Sequence, residues 1–208
     1  MGLGLQLQRR WWRTRSTHPA LTRLLSEPIQ NRPFAETRYV AIDLETTALE
    51  PDQGEIASIG WVTIENAQVQ LDQAGYYPIS LNNDVGQSAI YHQLTDTELA
   101  NGYPLEQALN QLMNALSNSV LLFHNASLDM GFINYYLRRH WGAPLLMPVE
   151  DTLLREKNKL ERSHTPIKTG DLRLFQCRKR YGLPDVELHD AFGDALATAE
   201  LWLAINSS

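Results

Sequence analysis

The segment from Tyr39 to Thr47 constrains the fold of this chain more than any other stretch of its sequence. It reads Tyr-Val-Ala-Ile-Asp-Leu-Glu-Thr-Thr, so a β-favouring apolar run leads directly into two carboxylates and two threonines. Such a run is typical of a strand buried on both faces at the centre of an α/β sheet. Because side chains alternate along a strand, Asp43 and Glu45 are expected on one face, roughly 6–7 Å apart. Two neighbouring acids repel each other, and a divalent metal ion is the usual partner that stabilises them.

Length and composition favour a single globular domain with a full core. The chain has 208 residues, of which 43% are hydrophobic and 20% are charged. No apolar run approaches the ~20 residues of a membrane-spanning helix, so no membrane partner is expected.

The single cysteine, Cys177, cannot form an internal disulfide. That cysteine usage fits a reducing compartment and predicts a cytoplasmic protein in which Cys177 is an ordinary helix residue.

The net charge of −6 is distributed unevenly along the chain. Residues 1–32 contain six arginines and one acid, Glu27, whereas residues 155–180 contain nine lysines and arginines and three acids. Charges are screened beyond roughly 8 Å at physiological salt, so local clusters matter more than the sum. An acidic total therefore does not exclude a polyanionic partner.

The first 37 residues differ in character from the rest of the chain. Leu21, Leu24 and Leu25 have helical spacing, and a proline-rich exit at 28–33 marks a boundary. We interpret residues 1–37 as a basic helical segment docked on a domain that covers residues 38–208. A basic, acid-poor transit peptide is the alternative interpretation of the same segment.

The remaining chain alternates between strand and helix patterns. Strands are predicted at 56–64, 69–79 and 120–123. Helices are predicted after a capping box at Thr95 and Glu98, from 104 to about 116, around 129–137, from Asp171 to 181, and after a cap at Asp190. The basic segment 155–168 has few apolar residues and predicts a long loop or a mobile helix edge.

Two further acids and a histidine lie where these elements begin. Asp129 lies in the first turn of a helix that leaves a strand end, a position where ligands collect in open α/β sheets. Favourable interaction with the helix dipole is its alternative role. Asp194 lies within an otherwise small and apolar helix, where an unpaired carboxylate is costly and is expected to bind a cation. His189 adds a group that titrates near neutrality.

Three motifs in the chain resemble, in order, the exonuclease motifs of the DEDD superfamily. They are Asp-Leu-Glu-Thr-Thr at 43–47, His-Asn-Ala-Ser-Leu-Asp at 124–129, and His-Asp-Ala-Phe-Gly-Asp-Ala-Leu-Ala-Thr-Ala at 189–199. The similarity is to the DnaQ-like branch, which includes the proofreading epsilon subunit of DNA polymerase III. The sister branch has a tyrosine four residues before the last aspartate, where this chain has Asp190, so the histidine branch fits. Ala48 and Leu128 depart from the family pattern and are expected to change packing near the substrate.

The resemblance implies an RNase H-like α/β fold, with a mixed central sheet flanked by helices on both faces. It also implies a metal-dependent 3′→5′ exonuclease that acts on single-stranded DNA ends with two divalent cations, Mg²⁺ or Mn²⁺. The implied metal ligands are Asp43, Glu45, Asp129 and Asp194. His189 would act as general base toward the attacking water.

The same resemblance implies contacts with the 3′-terminal nucleotide. Thr46 and Thr47 would hold it through backbone groups, and Leu49 would pack on its base. His124 and Asn125, the first two residues of the second motif, would also contact the substrate. The basic segment 155–180 is expected to line the path of the incoming strand.

Alternative functions remain open at this point. An exoribonuclease of the oligoribonuclease or ribonuclease T kind shares the same acids, and only pocket shape near the 2′-hydroxyl separates ribose from deoxyribose. A non-catalytic nucleic-acid-binding relative is disfavoured by the complete set of five catalytic residues. A polymerase-bound proofreader would carry a tether, whereas this chain stops at Ser208, so a stand-alone enzyme is expected.

Overall fold

The computed structural model of the chain describes residues 3–81, 102–186 and 190–207. Within these ranges the strands are β1 (Arg38–Thr46), β2 (Ile56–Glu65), β3 (Gln68–Pro78), β4 (Ser119–Phe123) and β5 (Val149–Asp151). The helices are α1 (Leu3–Arg13), α2 (Pro19–Ser26), α3 (Leu105–Ala115), α4 (Ala126–His140), α5 (Thr152–Arg162), α6 (Leu174–Arg180) and α7 (Ala191–Ser207). The helix predicted from the capping box at Thr95 lies outside the described residues.

The five strands form one mixed sheet in the order β3-β2-β1-β4-β5. β1 pairs antiparallel with β2, which pairs antiparallel with β3. On its other side β1 runs parallel to β4, and β4 runs parallel to β5. The strand between Tyr39 and Thr47 is therefore central, as its apolar run predicts, and the mixed α/β sheet is confirmed.

The alternation of side chains along β1 divides the core into two layers. Val40, Ile42 and Leu44 belong to the larger cluster, which also contains buried residues of α2, α3 and α4. Tyr39 and Ala41 point to the opposite face, where the small residues of α7 pack closely against them. Helices thus cover both faces, and the face under α7 is the one on which Asp43 and Glu45 lie.

The N-terminal helices are part of this core. Leu21, Leu24 and Leu25 of α2 are at most 4% exposed and share the larger cluster with α3. Burying each of these side chains stabilises the fold by roughly 1.5–3 kcal/mol. The buried guanidinium of Arg9 on α1 donates to the carbonyls of Leu24 (2.6 Å), Glu27 (2.7 Å) and Leu146 (3.0 Å). The boundary between residues 37 and 38 stays a prediction, but α1 and α2 are joined to the rest by buried contacts.

Two predictions for the basic segment need correction. The sequence predicts a long loop or a mobile helix edge over 155–168, but the chain is a regular helix as far as Arg162, because the Asp151 carboxylate caps Thr152–Arg162 by accepting from two backbone N–H groups. Only residues 163–168 of that stretch lie outside a helix. The next helix begins at Leu174 and not at Asp171. Asp171 instead closes a preceding turn, where its carboxylate accepts from the backbone N–H of Lys168 at 2.7 Å.

Among the described residues no helix is long and apolar enough to cross a membrane. Cys177 is a free, buried residue of α6, as expected from the sequence. Burial raises the pKa of its thiol to about 11, so the thiol is neutral near pH 7.

Candidate active site

The candidate site lies at the carboxyl end of the central strand. Pairing between β1 and β4 extends only to Ala41 and Leu122, so the last residues of β1 project beyond the end of β4. Asp43 and Glu45 lie in this projecting part, on the face covered by α7. Ligands collect at such strand ends in α/β sheets, because neighbouring loops and helix starts meet there.

A glycine on the neighbouring strand brings α7 into contact with this end of the sheet. Gly60 of β2 is the register partner of Asp43. A Cβ atom at residue 60 would lie 2.2 Å from the backbone carbonyl carbon and oxygen of Ala191. Only a glycine therefore permits the start of α7 to pass so close. Asp190 caps this helix, as predicted, by accepting from the Gly193 N–H at 2.8 Å.

Asp194 follows in the first turn of α7 and meets the two acids of β1. Asp43, Glu45 and Asp194 each offer one carboxylate oxygen, and these three oxygens all lie within 4.8 Å of one another. Glu45 is buried, whereas Asp43 and Asp194 keep part of their surface open. A cation shared by the three carboxylates would therefore remain accessible to a substrate.

Asp129 approaches from α4, on the other side of β1. Beyond Ala41 the edge of β1 that faces β4 lacks a strand partner, and the Asp129 carboxylate accepts from the Leu44 N–H at 3.1 Å. The side chain is 4% exposed. This hydrogen bond replaces a strand contact and holds the fourth acid beside the other three.

The arrangement disfavours ionisation of Asp43 and Asp129 in the absence of a cation. Loss of hydration raises the pKa of Asp43 well above its usual range, and the charges of Asp129, Asp194 and Glu45 raise it further. Burial likewise raises the pKa of Asp129 to about 7, although the hydrogen bond from Leu44 opposes that shift. Bound divalent cations would favour the ionised carboxylates again, so the donor set fits hard metal ions.

Asp151 holds the starts of two helices together and was not singled out in the sequence. Its carboxylate accepts from the N–H groups of Asn125 (3.2 Å) and Ala126 (2.9 Å) at the start of α4. It also accepts from Leu153 and Leu154 at the start of α5. Four backbone donors to one carboxylate fix the helix that carries Asp129.

The residues expected to contact the 3′-terminal nucleotide lie at the end of β1 and in the loop that follows it. The hydroxyl of Thr46 donates to the Ala48 carbonyl, and the hydroxyl of Thr47 accepts from the Glu55 N–H, both at 2.8 Å. These bonds shape the loop after β1. Leu49 in that loop is 78% exposed, a suitable state for an apolar side chain that packs on a base.

His124 and Asn125 have mainly structural contacts in this state. The Nε2 atom of His124 lies 2.8 Å from the Leu172 carbonyl, and its Nδ1 atom lies 2.7 Å from the Thr152 hydroxyl. Both ring nitrogens are thus engaged within the protein, and burial lowers the pKa of the ring. Asn125 adopts a left-handed backbone with φ of 86° at the start of α4 and exposes its side chain. His189, the expected general base, lies outside the described residues.

The basic segment 155–180 does not present all of its cations to a substrate. Arg178 is only 2% exposed and forms an ion pair with Glu200 at 2.7 Å. Arg180 pairs with the buried Glu156, also at 2.7 Å. The expectation that this segment lines a strand path is therefore wrong for Arg178, whose side chain is needed inside the fold.

A comparison with protein families identifies the family to which the chain belongs. Residues 40–202 match the RNase T family model, whose description is exonuclease. The chain belongs to this exonuclease family. The match covers every described acid of the site, and it confirms the DnaQ-like resemblance of the three motifs. The family is one of nuclease hydrolases.

The chain is similar to part of a bacterial DNA polymerase and to solved nuclease structures. A PolC-type DNA polymerase III of Thermotoga petrophila is 30% identical over 172 residues, which cover 82% of this chain but 12% of that protein. The nuclease domain of 3'hExo, a DEDDh family member bound to rAMP, has a TM-score of 0.69 at 14% identity. That likeness covers 85% of this chain and 94% of the other.

Exonuclease I of E. coli bound to a 5cy-dT13 oligonucleotide has a TM-score of 0.64 at 16% identity, over 83% of this chain and 41% of the other. At these identities the two likenesses establish the RNase H-like fold.

The residues that sequence reasoning missed, Gly60 and Asp151, do carry weak signals. A glycine inside a strand pattern indicates a close backbone approach, and an aspartate before Thr-Leu-Leu is a cap signal.

Proposed function

We propose that this chain is a metal-dependent 3′→5′ exonuclease that removes nucleotides from single-stranded DNA. One observation carries the proposal. Three carboxylates, two from β1 and one from α7, have oxygens within 4.8 Å of one another at the end of β1, a distance that suits a shared cation. Burial, together with the charges of Asp129, Asp194 and Glu45, raises the pKa of Asp43 at a cost to the folded protein. Natural proteins retain such costly clusters mainly at functional sites.

Asp43, Glu45, Asp129 and Asp194 would hold two divalent cations, either Mg²⁺ or Mn²⁺. These ions would stabilise the charge that develops on the attacking and leaving oxygens of an in-line phosphodiester displacement. The four side chains contribute the anionic oxygens that hard cations prefer. Asp129 has a second task, because its bond to the Leu44 N–H keeps the end of β1 in place.

His189 would accept the proton of the attacking water. In the sequence it immediately precedes Asp190, the cap of α7. A neutral imidazole is required for this role. Leu49 would pack on the terminal base, while Thr46 and Thr47 hold the loop in shape beside it.

DNA is the favoured substrate because the relative from Thermotoga petrophila is a DNA polymerase and Exonuclease I was solved with a dT13 oligonucleotide. The second candidate is an exoribonuclease. It is supported by the nuclease domain of 3'hExo, which was solved with rAMP and is matched over 94% of its length. A stand-alone enzyme and a cytoplasmic location both stay predictions.

A digestion panel tests the proposal. Single-stranded and duplex DNA and RNA, labelled at either end, would be incubated with Mg²⁺, Mn²⁺ or EDTA. The expected result is stepwise shortening of 5′-labelled single-stranded DNA with either cation and none in EDTA. Faster shortening of RNA would select the exoribonuclease, and intact substrates in every arm would leave a binding protein. Asp194→Asn is the matched inactive control.

A further inference from the structure

One surface of the chain has a charge opposite to that of the whole molecule. Three exposed arginines follow or lie in α1, and two more end α4. They are Arg10, Arg13, Arg15, Arg138 and Arg139. The sequence contains no acid in residues 1–26 or 130–149. Five exposed arginines thus lie in two acid-free segments of a protein with a net charge of −6.

Aromatic rings lie between these arginines. The guanidinium of Arg15 lies over the ring of Trp11, with its Cζ atom 3.4 Å from the ring centroid. The rings of Trp11 and Trp12 meet edge to face at 4.4 Å, and Arg138 lies 5.1 Å from the Trp12 centroid. These contacts join α1 to the end of α4 in one continuous patch, which we name the arginine–tryptophan surface.

This surface is held in place by backbone contacts. The Thr17 N–H donates to the Trp141 carbonyl at 3.0 Å. Gly142 has a φ of 74°, and a Cβ there would lie 2.6 Å from the Arg15 carbonyl oxygen. Residues 15–17 therefore lie directly against the end of α4. Trp11 nevertheless remains 49% exposed.

We propose that the arginine–tryptophan surface binds single-stranded nucleic acid outside the active site. Exposed arginines neutralise phosphates, and exposed tryptophan and guanidinium planes stack on bases without regard to sequence. The proposal rests on the proposed nucleic-acid substrate. It extends that substrate to a surface that lies largely outside residues 40–202, the part of the chain that matches the exonuclease family.

The position of the surface predicts a dependence on substrate length. Arg138 and Arg139 lie nine and ten residues after Asp129 on the same helix, about 14–15 Å further along its axis. A nucleotide bound there cannot be the one that is cleaved. Long strands engage the surface, whereas a mononucleotide ester reaches only the carboxylates.

A membrane surface is the other polyanion that a basic helix can bind. Helices that lie on membranes separate their cations and apolar side chains onto opposite faces. Here a cation and a ring are in contact, because the guanidinium of Arg15, just after α1, lies over the ring of Trp11. Leu7 is 61% exposed one turn before Trp11, so a vesicle arm belongs in the test.

Binding of a labelled 20-nucleotide strand is measured by anisotropy at several salt concentrations, on an Asp194→Asn background with Mg²⁺. Arg138→Gln/Arg139→Gln should lower the salt slope by about 1.4, at ~0.7 per lost phosphate contact. Trp11→Leu should raise Kd about 5- to 150-fold, the value of one lost base stack. The matched controls are Arg23→Gln/Arg32→Gln, with the same charge change at exposed arginines outside this surface, and the exposed Leu7→Ala.

Hydrolysis of the p-nitrophenyl ester of thymidine 5′-monophosphate, with Asp194 restored, should be unchanged in both surface variants. Equal Kd values and slopes for surface and control variants would overturn the proposal. Retention on phosphatidylglycerol vesicles that Trp11→Leu abolishes, with strand binding unaltered, would assign the surface to membranes instead. Arginine-dependent strand binding without hydrolysis of strand or ester would support this surface while refuting the proposed function.

Discussion

Two groups of charges in this molecule, each with a buried glutamate, differ in how they are balanced. At the end of β1, Asp43, Glu45 and Asp194 bring oxygens of like charge within 4.8 Å of one another. Between α5 and α6, the buried Glu156 accepts from the guanidinium of Arg180 at 2.7 Å and from the Tyr181 hydroxyl at 2.6 Å. The carboxylates of the first group repel one another and so lower the stability of the cation-free protein. In the second group the guanidinium of Arg180 neutralises the carboxylate of Glu156. Balance within the protein therefore separates a structural ion pair from a site that requires an external cation.

The largest effect is expected from the unbalanced group. Asp43→Asn should lower kcat/KM for single-stranded DNA by about 10³-fold or more, because several kcal/mol of charge stabilisation in the transition state depend on the cations. Steady-state hydrolysis with Mn²⁺ measures the loss. Activity within tenfold of the wild type would mean that Asp43 holds no essential cation.

His189 should produce the next largest effect. His189→Asn cannot accept a proton and should lower kcat about 10²- to 10⁴-fold, the usual contribution of a general base. The affinity for Mn²⁺, measured by calorimetry, should change little because His189 is not a proposed ligand. Near-normal kcat in a variant with an unchanged circular dichroism spectrum would show that another group accepts the proton.

The balanced group should show the opposite pattern. Arg180→Met leaves the carboxylate of Glu156, which is 1% exposed, without its cation and should destabilise the protein by about 3 kcal/mol. Urea unfolding in the presence of EDTA measures this change, and kcat should stay near the wild-type value. A large loss of kcat with normal stability would instead place Arg180 at the substrate.

The smallest effect is expected from an exposed ion pair of the same helix. Lys157 and Glu161 lie 3.9 Å apart, and both side chains are about half exposed (48% and 53%). Lys157→Gln should therefore change the unfolding free energy by at most about 0.5 kcal/mol. A change above 1 kcal/mol would contradict the view that burial decides the value of these pairs.

The sequence predicted the central strand and the set of acids because these depend on local patterns. The apolar run before Asp43 identifies a buried strand, and the three motifs identify which acids belong together. The helix cap at Asp190 was also predicted correctly from a single residue type at a helix start. Strand periodicity and capping are local properties that sequence patterns preserve.

The remaining features depend on contacts between distant segments. The helix after Asp151 has a polar sequence, and its stability depends on a cap shared with the start of α4. The burial of Arg178 depends on the Ala197 carbonyl and on Glu200, both in α7. A cluster of basic residues in sequence does not reveal which cations point inward, since that choice is made by tertiary packing.

Thermal unfolding of the wild type and of Asp43→Asn, in EDTA and in Mn²⁺ at neutral pH, tests the central claim most directly. In EDTA the variant should have the higher Tm, because it removes one of the mutually repelling, poorly hydrated carboxylates. In Mn²⁺ the wild type should have the higher Tm, because only its complete set of acids binds the cations tightly. A variant with the lower Tm in both solutions, and a wild-type Tm that Mn²⁺ does not raise, would contradict the assignment of these acids to a cation site.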